Sequence, residues 1–230
     1  MKTVFITGAN RGLGLEFSRQ YLAAGDRVIA TARDPEHSES LQALKQEFGD
    51  NLSLYTLDVT DANSREAVSD AVGERVIHVL INNAGYYGAN NPLGNLDESD
   101  WSRVFHINCI GPLKMVELLR SNLGSSGNAV VAMLSSKMGS MGDNSSGGSY
   151  VYRSSKAALN AATKSLSIDL AAEQIKVVAL HPGWVLTDMG GPNALIDTTT
   201  SVTGMRKIID GLKPQQSGDF IAYDGTLVPW

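Results

Sequence analysis

Short apolar, β-branched runs alternate along this chain with longer stretches in which apolar residues recur every three or four positions. The first pattern is that of a strand buried on both faces, the second that of a helix with one apolar stripe. TVFIT (3–7), RVIATA (27–32), LSLYTLDV (52–59), IHVLINNAG (77–85), NAVVAMLSS (128–136) and IKVVALHPG (175–183) read as six strands, and GDFIAYDG (218–225) as a seventh. Between them GLEFSRQYLAAG (14–25), HSESLQALKQEFG (37–49), DANSREAVSDAVG (61–73), the region 97–123 and YRSSKAALNAATKSLSIDLAAE (152–173) read as helices. The second of these carries Leu41, Leu44 and Phe48 on one stripe, and Gly25 is placed to end the first. GSMGDNSSGGS (139–149) and WVLTDMGGPNALIDTTTS (184–201) read as irregular loops, the first too rich in Gly and Ser to pack.

Strands and helices that alternate one for one predict an α/β domain. Right-handed crossovers then wind the chain into a Rossmann-like, doubly wound parallel sheet of about seven strands with helices on both faces. No repeat or linker divides residues 1–230, so a single domain is expected. Ligands of such sheets bind at the carboxyl ends of the strands, and both irregular loops follow strands there.

Composition narrows the function. A net charge of −5 gives no basic face for phosphodiester backbones, so nucleic acid is not an expected partner. Cys109 is the only cysteine, which excludes an intrachain disulfide and Cys-rich metal sites and suits a reducing compartment. The apolar start runs at once into a glycine turn, too short for a signal peptide. No apolar stretch approaches the ~20 residues of a membrane span, so a cytoplasmic protein without membrane association is expected.

TGANRGLG (7–14) joins the first strand to the first helix, with Gly8, Gly12 and Gly14 spaced G-x-x-x-G-x-G. Glycines there let the backbone turn tightly and approach a pyrophosphate, whose charge the helix N-terminus receives. The second strand ends in ATARDP, with Ala32 and Arg33 where an acid would bind ribose hydroxyls. Arg33, with Arg11 inside the turn, favours a 2′-phosphate and hence NADP(H) over NAD(H), although Asp34 stands close by. Asp58, at the end of the third strand beside Val59, is suited either to an adenine amino group or to a turn.

SYVYRSSK (149–156) offers two tyrosines before a lysine. At ~100° per residue Tyr152 and Lys156 lie about 40° apart on one helix face, whereas Tyr150 and Lys156 lie about 240° apart. An ammonium beside a phenol lowers its pKa from ~10 and makes it a general acid/base for carbonyl reduction or alcohol oxidation.

TGANRGLG, LDV, NNAG (82–85), Asn108 in FHINCIGP, LSS (134–136), YRSSK (152–156) and HPGWVLTDM (181–189) together resemble the short-chain dehydrogenase/reductase family. YVYRSSKAALNAATKSLS and the YDGTLVPW ending are similar to its branch of C-factor proteins and sniffer-type carbonyl reductases. The resemblance covers nearly the whole chain. It implies a catalytic set of Asn108, Ser136, Tyr152 and Lys156. Tyr152 would exchange a proton with the substrate oxygen, Ser136 would bond that oxygen, and Lys156 would act on both Tyr152 and the nicotinamide ribose. Asn108 would anchor a water joining Lys156 to solvent. It also implies a cofactor cradle of Gly8, Asn10, Arg11, Gly12, Leu13 and Gly14, with Arg33, Asp58, Val59, Asn83, Ala84 and Gly85, and Pro182, Gly183, Val185 and Thr187 from the later loop. The serine-to-tyrosine spacing is a few residues longer than the family's, which leaves Ser135 and Ser140 as alternatives. Ser136 is taken because Ser135 points to the opposite face if the strand persists. His181 is expected to be structural, and Trp184 and Met189 to line a substrate pocket, with Trp184 equally suited to the core.

The implied activity is hydride transfer between NADP(H) and a carbonyl or secondary alcohol. The small residues of AALNAATKSLS (157–167) and the family habit imply a homodimer or homotetramer. Two rivals remain: a nucleotide-binding, C-factor-like signalling protein with little turnover, and a sugar-nucleotide epimerase or dehydratase. About 45 residues follow HPGWV, short for the substrate domain of the latter.

Overall fold

The computed structural model describes residues 1–230. Its strands are β1 (Thr3–Thr7), β2 (Arg27–Ala32), β3 (Leu52–Thr56), β4 (Val79–Asn82), β5 (Val130–Leu134), β6 (Lys176–His181) and β7 (Phe220–Ala222). Its helices are α1 (Gly12–Ala23), α2 (Glu39–Phe48), α3 (Ala62–Val72), α4 (Glu98–Phe105), α5 (Gly111–Gly124), α6 (Tyr150–Asp169) and α7 (Thr198–Gly211). The strands form one parallel sheet in the order β3-β2-β1-β4-β5-β6-β7. The chain builds outward from β1 to β3, then crosses to the other side of β1 to place β4. The crevice between the ends of β1 and β4 is therefore the switch point where such sheets bind ligands.

Alternation along each strand divides the core in two. Val4, Ile6, Val28, Ala30, Val79, Ile81, Ala132, Val178 and Leu180 face α1, α2 and α7, where Phe17, Tyr21, Leu41, Val202 and Met205 complete one cluster. Phe5, Ile29, Leu80, Val131, Met133 and Val177 face α3, α5 and α6 and pack on Val68, Met115, Leu119 and Leu159. The runs are apolar on both faces because both faces are covered.

Strands β3 to β6 end short of their apolar runs. Asp58, Asn83 to Gly85, Ser135, Ser136, Pro182 and Gly183 all lie beyond the last ladder pair. α7 was not foreseen: its first turn falls in the expected loop 184–201, and its Thr-rich start has poor helix propensity. Asp197 caps it, and burial of Val202, Met205 and Ile209 against α1 and the sheet holds it. The loop 139–149 also packs more than its composition suggests. An added Cβ on Gly139 would come 2.7 Å from Lys156, Ser140 is buried, and Gly142 N–H bonds the Trp230 carbonyl at 2.9 Å.

Candidate active site

The glycine turn leaves β1 with Gly8 in the left-handed region, φ +66°. A Cβ on Gly8 would meet Ala84 Cα at 3.0 Å, and one on Gly14 would meet the Gly8 carbonyl at 2.3 Å. No side chain larger than hydrogen fits at either place. Asn83 fastens the crevice: its amide Nδ2 donates to the carbonyls of Thr7 and Gly8, both at 2.9 Å. The N–H groups of Asn83 and Ala84 donate in turn to Thr7 Oγ1, both at 3.0 Å. Asn83 is thus a staple between β1 and β4.

Helices α2, α3, α4 and α7 each have an Asp or Ser capping their first turn, but α1 has neither a capping side chain nor an acid there. Its first N–H groups are left for an outside acceptor. A Cβ added to Gly12 would lie 3.4 Å from the Thr187 methyl, so the loop after β6 runs close to the same turn. A cradle that admits only glycine beside an uncapped helix N-terminus fits the diphosphate of a dinucleotide. Asn10 and Arg11 are exposed at its rim, and Leu13 packs on the core. Arg11 pairs with Asp188 across the rim. Arg33 stands at the end of β2. Burial raises the nearby Asp58 carboxyl, but the Thr60 hydroxyl and N–H, with a smaller contribution from the Arg33 charge, outweigh it and hold Asp58 below the ordinary carboxylate value. The Asp58 carboxylate accepts both Thr60 bonds, at 2.7 and 2.9 Å, so it makes a turn contact here; buried Val59 gives its carbonyl to Arg65.

At the other end of the crevice, α6 begins at Tyr150 and carries Tyr152 and Lys156 inward. Tyr152 and Lys156 are buried, whereas Tyr150 is 39% exposed and points away. Lys156 Nζ lies 5.7 Å from the centre of the Tyr152 ring and donates to the Leu134 carbonyl at 2.7 Å. Gly85 lies above it, its added Cβ 3.9 Å from Nζ. Burial lowers the Lys156 ammonium to about 8, with Cys109 opposing the shift. The lysine was expected to lower the phenol. Burial instead pushes Tyr152 well above its ordinary value, Ser136 pulling it back and Tyr87 adding to the rise.

The paired serines part as the alternation requires. Ser135 donates to Asn160 Oδ1 at 2.5 Å, Ser140 turns to the Pro229 carbonyl, and Ser136 alone stands beside the phenol. Ser136 Oγ also accepts from Met138 N–H at 3.1 Å, fixing the short turn after β5. Asn108 is fully buried in a π turn, His106–Ile110, between α4 and α5. Its side chain holds both backbone groups of Tyr86, at 2.8 Å each, and donates to Ser155 Oγ at 3.0 Å. Pro112 has no N–H, so the Asn108 carbonyl lacks its α-helical donor.

His181 Nδ1 accepts from Lys137 N–H at 3.2 Å, and burial first, then Lys137, lowers the ring to about 4. The residue therefore holds the segment after Ser136 as a neutral imidazole. The Pro182 carbonyl accepts from Ser201, and Gly183 takes φ +86° against Ile196 and Tyr223. Val185 is buried and bridges Ile196, closing the later loop on itself, with Trp184 half exposed and bonded to the Gly190 carbonyl at 2.7 Å. Two residues beside the site escaped the sequence reading. Tyr87 stacks on Tyr152, and Arg153 ties the Gly/Ser loop to α6 through Met138 and Ser146. The only sequence signals were a tyrosine two places after NNAG and an arginine next to Tyr152.

Comparison with known proteins agrees with this geometry. The pattern of the short chain dehydrogenase family matches residues 2–195. C-signal of Myxococcus xanthus is 49% identical over 154 residues, 67% of this chain and 93% of that protein. The carbonyl reductase Sniffer of D. melanogaster superposes with a TM-score of 0.95 at 32% identity, over 100% of both chains. The NADPH-bound carbonyl reductase from chicken fatty liver superposes at 0.93 and 36% identity, over 100% of this chain and 99% of that one. These matches, together with the fold they share, show that the chain belongs to the short-chain dehydrogenase/reductase family, in its C-factor and sniffer-like branch.

Proposed function

We propose that this protein is an NADP(H)-dependent carbonyl reductase. The observation that carries the reading is the burial of Tyr152 and Lys156 on one face of α6, with Ser136 beside the phenol and the glycine cradle at the far end of the same crevice. A bound nicotinamide nucleotide supplies the hydride. Tyr152, like any phenol, holds its proton at neutral pH, and burial reinforces that form, so a proton is present to donate in the reductive direction. Ser136 donates to the substrate oxygen and steadies the charge that develops there. As the proton leaves Tyr152, the nearby Lys156 ammonium stabilises the phenolate. Asn108 and Ser155 hold the π turn and the Tyr86 backbone beside this pair. Gly8, Gly12, Gly14, Asn83 to Gly85, Val185 and Thr187 line the cradle, with Arg11 and Arg33 toward a 2′-phosphate.

The NADPH-bound chicken carbonyl reductase supports the choice of nucleotide. The substrate is a small carbonyl compound or its alcohol, and the protein works in the cytoplasm without nucleic acid or membrane. The small residues of 157–167, with Ala161 exposed on α6, suit a homodimer or homotetramer. Following NADPH oxidation against a broad panel of aldehydes and ketones tests the reading, and silence across the panel would overturn it. The identity to C-signal favours one second reading, a nucleotide-binding signalling protein with little turnover. Tight NADPH binding without oxidation of any panel member would favour it.

A further inference from the structure

Tyr87 lies on the face of the Tyr152 ring, centroids 4.5 Å apart and planes 26° apart. It is partly exposed, with one face of its ring against Tyr152. Several contacts fix it there. Asn108 holds the backbone of Tyr86 on one side. On the other, Gly88 takes φ +75°, with space for no Cβ against Val104 and Asp100, and the Ala89 N–H donates to Asp100 at 2.7 Å. The Tyr87 hydroxyl meets Ser149 Oγ at 3.0 Å, and Ser149 donates onward to Asn90 Oδ1 at 3.1 Å. Ser149 holds φ +46°, a left-handed conformation unfavourable for serine, at the residue immediately before α6. The ring is thus a fixed wall beside the proposed proton donor.

Resting on the carbonyl reductase reading, we propose that Tyr87 is a specificity-determining residue whose ring selects carbonyl compounds with a flat, conjugated flank, such as aryl aldehydes and ketones. An aromatic face pinned next to the reacting oxygen gives a planar group a stacking partner that a flexible alkyl chain uses poorly. The hydroxyl tether lets the ring stay in place without the substrate having to order it. Removing the ring also opens Tyr152 to water on that face. The charged and titratable groups that face Tyr152 are Tyr87 itself and Lys156, with Cys109 beside the lysine.

The test compares benzaldehyde with hexanal, both with NADPH, on wild type, Tyr87→Phe, Tyr87→Leu and Tyr87→Ala. Wild type should prefer benzaldehyde through KM. Tyr87→Ala and Tyr87→Leu should lose about tenfold of that preference, read as the benzaldehyde-to-hexanal ratio of kcat/KM within each variant, so that any change at Tyr152 common to both aldehydes cancels. Tyr87→Phe, which keeps the ring and loses the tether, should retain most of it. Binding of benzyl alcohol to the NADPH complex, measured by calorimetry, reads the same wall without hydride transfer and should weaken in Tyr87→Leu but not in Tyr87→Phe. A benzaldehyde-to-hexanal ratio equal in wild type and Tyr87→Leu, in enzymes that turn over, would overturn this inference alone. A wild type inactive on both aldehydes and on the wider panel would overturn the carbonyl reductase reading together with it.

Discussion

Tyr150 and Tyr152 stand two residues apart, and α6 turns one toward water and the other into the crevice. Tyr152→Phe removes one oxygen and keeps the ring against Tyr87, so fold and NADPH binding should persist while kcat falls ~10²–10⁴-fold, the usual worth of a positioned acid. Lys156→Met should lose activity and also weaken NADPH, and Tyr150→Phe should stay within a few-fold of wild type. Steady-state kinetics on the three variants, with NADPH binding measured separately, check this. A dead Tyr150→Phe beside an active Tyr152→Phe would refute the site. Arg33 makes the second prediction at this scale. No ion pair holds its guanidinium in the structure, so it is available to a 2′-phosphate. Arg33→Ala should weaken NADPH about 10–100-fold, from the ~1.5–3 kcal/mol of a charge-assisted bond, and leave NADH nearly unchanged. Titration of both nucleotides measures the difference.

The elements work as holders of chain ends. α1 supplies uncapped N–H groups to the cradle only because Gly8 and Gly14 let the turn fold back on β1. An added methyl on Gly14 would sit 2.3 Å from a backbone oxygen, which no rotamer relieves. Gly14→Ala should therefore cost about 1–3 kcal/mol of stability and abolish NADPH binding. Gly211→Ala is the control: nothing lies within 4 Å of its added methyl, it ends α7, and its stability should match or slightly exceed wild type. Urea unfolding with calorimetric NADPH titration compares the two. The π turn serves in the same way, as the extra residue aims Asn108 at Tyr86 and Ser155.

The sheet as a whole brings β5 and β6 together, and their ends share His181. The ring is neutral in the folded protein, with a pKa of about 4 against about 6.5 when unfolded. The unfolded chain therefore binds a proton first as pH falls. The stability contributed by the neutral ring is complete above about 6.5 and lost progressively toward 4. His181→Asn keeps an acceptor for Lys137 N–H and removes the titration. Between pH 7 and 4.5 it should lose on the order of 2 kcal/mol less stability than wild type, read from urea midpoints across that range. Equal acid sensitivity in the two proteins would show that other groups dominate.

The sequence by itself determined the alternation of strands and helices, and with it the parallel sheet, because runs apolar on both faces have no other way to be covered. It also placed glycines where only glycine fits, and it set Tyr152 and Lys156 on one face, because helical periodicity is local. What the sequence could not decide needed contacts between distant segments. α7 exists through packing of Val202, Met205 and Ile209 against α1 and the sheet, against the propensity of its threonines. Asn83 became a staple because β1 lies beside β4. The direction of the Tyr152 shift was decided by burial in the folded site, where Tyr87, 65 positions away in the chain, stacks on the ring, rather than by the lysine one turn along. Desolvation depends on everything that surrounds a group, and only the folded chain specifies those surroundings.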